Sequence, residues 1–337
     1  MSPRPATIKD VAREAGVSTS TVSRVLDERL PPSSSGTAER VRATAQRLGY
    51  RRDAYASALR RQHTGTIGVL VPRLSDTVMA ILFEEIARAC AQRSEFAIVA
   101  TTQDDPAAER TAAETLLDQR VDGLILTTAR LDDDFTAQLR ADGIAHVLAL
   151  RSDGVSPSST GDDELGGYLA TRHLIDLGHR AIGVVAGPEY ASSSVGRLRG
   201  FRKAMAEAAL VVDESLVRAS TFGMESGEDV GRSLLGLPQR PTAIFAVNDN
   251  TAIGVLAAAQ SLGLTVPDDL SVVGYNDIPL SARLPVPLTS VRVPLTQIAA
   301  SAVELLHRPQ PGPHSQLVAT PSLIPRRSTT RRTAPTT

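Results

Sequence analysis

The chain has one cysteine, Cys90, no tryptophan and only two lysines, Lys9 and Lys203, in 337 residues. A lone thiol excludes an intrachain disulfide, and with it the small stapled scaffolds of secreted proteins. No basic start leads into an apolar run of signal-peptide length, so a cytoplasmic location is expected. No stretch reaches the roughly 18 consecutive apolar residues of a transmembrane helix, so no membrane partner is expected. Catalytic signatures are missing as well. No Gly-x-Gly-x-x-Gly follows a strand-like run, no phosphate loop ends in Gly-Lys-Ser/Thr, and no Gly-x-Ser-x-Gly elbow occurs. His173 and His179 are six positions apart and should point to different sides of a helix, which argues against a metal pair. Asp132-Asp133-Asp134 suits a helix start better than a cation site. Cys90, near Ile86 and Ala87, reads as a small buried hydrophobe. No catalytic residue, metal or cofactor is expected.

What is present is divided unevenly. The first 64 residues hold 12 Lys/Arg against 6 Asp/Glu, whereas the remainder holds 24 cations against 31 anions. A basic head on an acidic body is a footprint of polyanion binding. At roughly 100 to 200 residues per domain the length allows two or three domains.

The head reads as short helices. Thr7 and Asp10 have capping-box spacing before an apolar series at Ile8, Val11, Ala12 and Ala15. Gly16 supplies a left-handed stop, and Ser18 can cap a second helix from Thr19 to about Leu26, with Val22, Val25 and Leu26 facing inward. Two short helices joined by Gly16-Val17-Ser18 form a helix-turn-helix. Pro31 to Gly36 is a loop by composition, and Val41, Ala45 and Leu48 line a third helix that stops at Gly49. In such a motif the second helix enters the DNA major groove with its first residues at the base edges. Here those are Thr19, Ser20, Thr21, Ser23 and Arg24. The hydroxyls suit bases or phosphates, and the guanidinium can fork onto guanine, worth about 1–3 kcal/mol of discrimination. Thr7, Ser18 and Tyr50 complete the candidate DNA-contact set; Ser18 and Thr21 can equally serve only as caps.

After an arginine-rich linker, short apolar runs alternate with amphipathic stretches from Thr66 onward. The runs are Thr66–Val71, Phe96–Thr101, Val121–Thr127, His146–Leu150, Ala181–Ala186, Ala243–Val247, Leu270–Gly274 and Thr289–Val293. Each is apolar on both faces, as strands of a helix-covered parallel sheet must be. Strands spread over this length suit two doubly wound lobes, an α/β class with a small all-α head. Ligands then belong in the crevice at the strands' carboxyl ends. The Ser/Thr/Arg/Pro segment after Ile324 has a disordered composition.

The string Thr7-Ile8-Lys9-Asp10-Val11-Ala12-Arg13-Glu14-Ala15-Gly16-Val17-Ser18, continued by Thr19-Ser20-Thr21-Val22-Ser23-Arg24-Val25-Leu26, closely resembles the N-terminal motif of the lactose/galactose repressor family. The resemblance continues through Leu48-Gly49-Tyr50, Arg120-Val121-Asp122-Gly123-Leu124-Ile125, Leu177-Gly178-His179, Arg197 to Phe201 and Val272-Val273-Gly274-Tyr275-Asn276-Asp277-Ile278-Pro279, roughly Ala6 to Ser328 in all. It implies a repressor that binds a palindromic double-stranded DNA operator as a homodimer. Its core would be similar to the periplasmic binding proteins and controlled by a small-molecule effector, most often a sugar. The implied division is 1–50 for the DNA-binding head, 51–64 for a linker with a hinge helix and 65–329 for a two-lobed core, with 330–337 a disordered tail. Lobe one would take 65–161 and 293–318, and lobe two 162–292 and 319–329. Leu59 stands where the family wedges a leucine into the minor groove; the alternative is ordinary helix packing.

For the effector, the resemblance points to Ser75, Arg197, Phe222, Asn248, Asp249 and Asn276. Arg197 would grip hydroxyls or a base, or else form a surface ion pair. Asp249 would meet the ligand or cap a helix, Phe222 would present a ring or sit in the core, and Ser75 would contact ligand or only make a turn. Three positions depart from the pattern: Asn276 and Leu150 stand where acids are common, and Val78-Met79 replaces an aromatic pair. The loop Pro31 to Gly36 is about one residue longer than usual. No leucine heptad follows Ile324, so a dimer rather than a tetramer is expected. A solute-binding receptor would share the core but would need export.

Overall fold

In a computed structural model the chain is described over residues 6–26, 33–50, 63–308 and 314–332, and it divides into two units, Met1–Thr64 and Gly65–Thr337.

The head holds α1 (Ile8–Ala15), α2 (Thr19–Val25) and α3 (Gly36–Arg47). Thr7 N donates to Asp10 Oδ2 at 2.9 Å while Asp10 N donates to Thr7 Oγ1 at 3.4 Å, closing the capping box. Gly16 adopts φ 64°, and its N–H closes the helix end on Ala12 and Arg13. Val11, Ala12, Ala15, Val22, Val41 and Ala45 are buried together, with Val17 packed at the corner. So small a core makes each cap, worth about 1 kcal/mol, a sizeable share of the head's stability. Arg40 Nε on Ala15 O at 3.1 Å and the Arg47–Glu14 pair at 2.9 Å tie α3 to α1. Gly36 is not loop but the first residue of α3, because Ser35 Oγ accepts from Ala38 N and starts the helix there.

The larger unit is built on two six-stranded sheets. The first runs β11-β5-β4-β3-β1-β2, all parallel, with β1 Thr66–Val71, β2 Phe96–Thr101, β3 Gly123–Leu126, β4 His146–Ala149, β5 Ser158–Gly161 and β11 Gln316–Ala319. The second runs β12-β10-β9-β8-β6-β7, with β6 Ile182–Ala186, β7 Val217–Ala219, β8 Ala243–Ala246, β9 Ser271–Asn276, β10 Thr289–Arg292 and β12 Ser322–Ile324. Its last pair, β10 with β12, is antiparallel. The chain passes between the sheets after β5, after β10 and after β11, so neither lobe is one continuous segment. Helices Thr77–Gln92 and Leu295–Leu306 pack together on the first sheet; Asp163–Asp176 with Ser192–Glu207, and Met224–Leu235 with Asp249–Ser261, cover the second.

Four expectations are corrected. Phe96–Thr101 is not apolar-buried on both faces: it is a sheet edge with one neighbour, leaving Phe96 72% and Ile98 38% exposed. Strands β5, β7, β11 and β12 carried no apolar run: β7, β11 and β12 are sheet edges, and β5 is buried through small polar residues whose hydroxyls are satisfied, as Ser159 Oγ is on Ile298 O at 2.9 Å. The segment after Ile324 is ordered through Arg332: Ser328 is fully buried, its Oγ donates to Val272 O at 2.6 Å and accepts from Thr289 N at 2.8 Å. Composition misread it because hydroxyl side chains can satisfy a sheet end as well as water can. His173 and His179 do not diverge either. His173 Nε2 meets Thr329 Oγ1 at 3.0 Å and His179 Nε2 meets Thr330 O at 3.2 Å, so both hold that segment.

Candidate functional site

The carboxyl ends of both sheets converge on a cleft that is open to solvent and encloses only about 50 Å³. Arg73 and Asp76 follow β1, Asp104 follows β2, Thr127 follows β3, and Leu150 and Arg151 follow β4. From the second sheet come Ser193 after β6, Phe222 after β7, Asn248 after β8 and Asn276 at the end of β9. This is the crevice that parallel α/β sheets use for ligands. Backbone strain gathers at the same edge: Asp104, Leu150 and Asn276 have φ of 61°, 64° and 99°.

Arg197 is buried and fixed from three sides. Its Nε donates to Asp163 Oδ1 at 2.8 Å, its Nη1 donates to Val247 O at 2.8 Å, and its guanidinium lies 3.8 Å from the Tyr275 ring centroid. Tyr275 donates its hydroxyl to the same Asp163 oxygen at 3.3 Å. Burial raises the Asp163 carboxyl above its ordinary range, and the Arg197 charge opposes that rise. The arrangement depends on Gly167, where a Cβ would run into the Arg197 backbone.

Arg151 mirrors Arg197 on the first lobe, and sequence reasoning passed over it for its neighbour Leu150. It is buried, and it donates to Asp104 Oδ1 at 3.0 Å, Asp104 Oδ2 at 3.3 Å and Thr128 O at 3.4 Å. Its guanidinium lies 5.4 Å from the Phe222 ring of the second lobe. Tyr190, also missed, bridges the lobes. Its hydroxyl donates to Asp104 Oδ2 at 3.3 Å, Arg130 stacks 3.6 Å from its ring centroid, and Leu131 N donates to its carbonyl at 2.8 Å. Ser152 N on Ser192 Oγ at 2.8 Å makes a second bridge. No local pattern marks these residues, because their partners lie about 40 to 90 positions away in sequence.

Of the six candidate effector residues, the structure brings Arg197, Phe222, Asn248 and Asn276 together on the cavity. Asn248 both caps its helix, accepting from Thr251 N at 2.8 Å, and donates Nδ2 to Phe222 O at 3.0 Å. Ser75 is exposed and off the cavity; the turn after β1 places Arg73 and Asp76 there instead. Asp249 also faces away. Its oxygens accept from Ser290 Oγ at 2.6 Å, Ile278 N at 2.8 Å and Ser281 Oγ at 2.8 Å, so it clasps the loop after β9 and is neither cap nor ligand contact. Burial lifts its pKa to about 6 against the pull of those hydrogen bonds.

On the head, Ser18, Thr19, Ser20 and Arg24 are exposed, with Thr21 and Ser23 half-buried. Ser18 Oγ accepts from Thr21 N at 3.2 Å and bonds Ser20 Oγ at 2.8 Å and Thr21 Oγ1 at 2.9 Å, so Ser18 is the cap and Thr21 supplies the amide it caps. Arg24 has no ion-pair partner among the described residues, leaving its guanidinium open. Thr7 is committed to its capping box, and Tyr50 packs half-buried against the head's core. Leu59 and the linker expected to carry a hinge helix lie outside the described residues. The acidic run does open a helix: Asp134 is the cap residue before Phe135, while Asp133 and Asp134 pair with Arg110 at 2.7 Å each. Cys90 is buried, and burial pushes its thiol up to about 11. Among the described residues no helix is long and apolar enough to cross a membrane, and no group of three His, Cys, Asp or Glu could hold a metal ion.

Residues 7–53 match the family described as bacterial regulatory proteins, lacI family, and residues 171–329 match the periplasmic binding protein-like domain. The chain is 35% identical over 329 residues to the ribose operon repressor of Escherichia coli (strain K12), covering 96% of this chain and 99% of that protein. It is 34% identical over 304 residues to the HTH-type transcriptional repressor PurR of Photobacterium profundum, covering 89% and 91%. Among solved structures it is similar to the lac repressor dimer bound to operator and the anti-inducer ONPF. That likeness has a TM-score of 0.86 at 29% identity, over 97% of this chain and all of the other.

Proposed function

This chain belongs to the lacI family of bacterial regulatory proteins, and from that premise we propose that it represses transcription by reading a palindromic operator as a homodimer under the control of a small effector in the cleft. It is a DNA-binding transcriptional regulator. The observation that carries the reading is one chain holding two kinds of site: a helix-turn-helix whose exposed face presents Thr19, Ser20 and Arg24, and a crevice lined by the strand ends of two lobes.

The effector is a sugar or sugar derivative, as the names of its relatives suggest, and no turnover accompanies its binding. The protein acts in the cytoplasm, where its DNA lies. Two apolar surfaces suit a second copy: the β2 edge with Phe96 and Ile98, and a furrow lined by Leu256, Leu264, Val266 and Leu284. The head covers 1–50, the hinge 51–64 and the effector core 65–329. Effector binding works by differential affinity for two lobe arrangements, and a coupling of about 1–3 kcal/mol is ordinary for such systems. Tyr190 and Arg151, which already span the lobes, are where that difference is felt.

The test is selection of bound duplexes from a random pool near physiological salt, where non-specific affinity is suppressed. Enrichment of one palindrome is the expected result. A protein that enriches nothing, with or without added cell extract, is a solute-binding receptor and not a regulator.

A further inference from the structure

We propose that the effector is an anion, a small molecule whose carboxylate or phosphate is seated by Arg73 together with Arg197, Ser193 and Asn276; this rests on the effector reading above and names its chemistry.

The cleft's acceptors and donors are unequally committed. Every carboxylate at the cavity is already engaged. Asp104 accepts from Arg151 with both oxygens and from Tyr190 besides. Asp76 caps the helix that follows it, accepting from Val78 N at 3.0 Å. Asp163 is held by Arg197 and Tyr275, and Asp249 is turned to Ser281, Ser290 and Ile278 N. The Asn248 oxygen is taken by Thr251. At two strand ends on the cavity stand Leu150 and Asn276, which bring no negative charge.

What remains uncommitted is rich in donors. Among the described residues, the Arg73 guanidinium, the Ser193 hydroxyl and the Asn276 side-chain amide line the cavity with no hydrogen-bond partner. Ser193 is 5% and Asn276 8% exposed, and both line the cavity. Arg197 commits only Nε and one Nη1 hydrogen to protein. A guanidinium has five N–H groups and no acceptor, whereas an amide adds two donors and one acceptor oxygen and a hydroxyl both donates and accepts. A neutral polyol brings a donor with every hydroxyl and would find only neutral acceptors uncommitted, the Asn276 oxygen and the Ser193 hydroxyl, while the Arg73 charge would go unmatched. A carboxylate or phosphate brings acceptors alone and suits a bidentate guanidinium. Two of the three cavity arginines are held in ion pairs by Asp104 and Asp163; Arg73 makes no such close pair among the described residues, though its charge reaches Asp76. Burial lifts the Asp76 pKa, and the Arg73 charge is among the contacts that oppose that rise.

The test is calorimetric titration of the full-length protein with matched probes: glucose, glucuronate, glucose 6-phosphate and inorganic phosphate. Glucuronate and glucose 6-phosphate separate carboxylate from phosphate. The expected result is that at least one anion binds at least about tenfold more tightly than glucose, the worth of one charge-assisted contact. Arg73→Gln should lose that advantage and Arg73→Lys should keep part of it, with the unliganded melting temperature of each variant reporting its fold. Equal affinity for glucose and both sugar anions, no binding by any anion in the set, or an anion affinity unchanged in a folded Arg73→Gln overturns the proposal. Operator binding by the unmutated protein, measured on the same preparation, separates this failure from failure of the regulator reading.

Discussion

Tyr190 on the second lobe donates its hydroxyl to Asp104 on the first at 3.3 Å, and its ring carries Arg130 at 3.6 Å, so the cleft is bridged by side chains of the chain itself. Asp104 is also the anchor of Arg151. A ligand entering here meets groups that already hold the lobes together, which gives it a way to shift their relation.

If Tyr190 is the bridge, Tyr190→Ala should loosen it without unfolding either lobe. The Leu131 amide, which donates to the Tyr190 carbonyl, should exchange its hydrogen about tenfold faster, equivalent to roughly one lost cation–π contact. Tyr190→Phe should show a smaller effect, having lost only the hydroxyl bond. Unchanged exchange at Leu131 in both variants would discard the bridge.

Asp249 predicts an unusual pH dependence. Its carboxyl is lifted from the ordinary 3.8 to about 6 by burial, so the fold favours its protonated form. Its contribution is fully present below the ordinary value and is lost as pH rises through about 6. The stability difference between the natural chain and Asp249→Asn should therefore fall by about 3 kcal/mol between about pH 4 and pH 7. Chemical unfolding across that range measures it, and a constant difference contradicts the account.

The C-terminal segment should respond with the opposite sign. Burial lowers the pKa of both His173 and His179 from the ordinary 6.5, so the fold favours the neutral rings that hold Thr329 and Thr330. Their contribution is present above 6.5 and is lost as pH falls through the depressed values. Proteolysis after Ile324 should accelerate as pH falls below the ordinary histidine value of 6.5 and the depressed rings charge, and His179→Gln should flatten the dependence. Equal cleavage at neutral and acid pH would show that other contacts hold the segment.

Arg24→Ala should weaken binding to the selected operator by about 1–3 kcal/mol and relax preference at one base position, because its exposed guanidinium is free to fork onto guanine. A uniform loss across all sequences would make it a phosphate contact. Leu59→Ala should also weaken operator binding, as a lost minor-groove wedge would.

The head was legible residue by residue because its signals are local. Thr7 and Asp10 are three apart, Gly16 ends α1 alone, and Ser18 needs only the Thr21 amide. The eight strand-like runs were legible for a related reason: a buried parallel strand must be apolar on both faces. At β7, an exposed edge, that demand vanished and the signal with it, while β5 is buried through small polar residues such as Ser159, whose hydroxyl finds a backbone partner, which no apolar pattern reveals. The cleft divided along the same line. Arg197 and Asn248 stood out through their motif, but the free state of Arg73, the Arg151–Asp104 pair and the Tyr190 bridge depend on partners that folding brings from distant loops. Asp249 is the sharpest case. Its place after β8 suggested a ligand contact, and only the loop after β9, arriving with Ile278 N and the Ser281 hydroxyl, turned that carboxylate inward. Sequence determined which elements form, because capping and burial periodicity act over a few residues; tertiary structure decided which polar groups are engaged and which are left for a ligand, because hydrogen-bond partners are assigned across the whole fold.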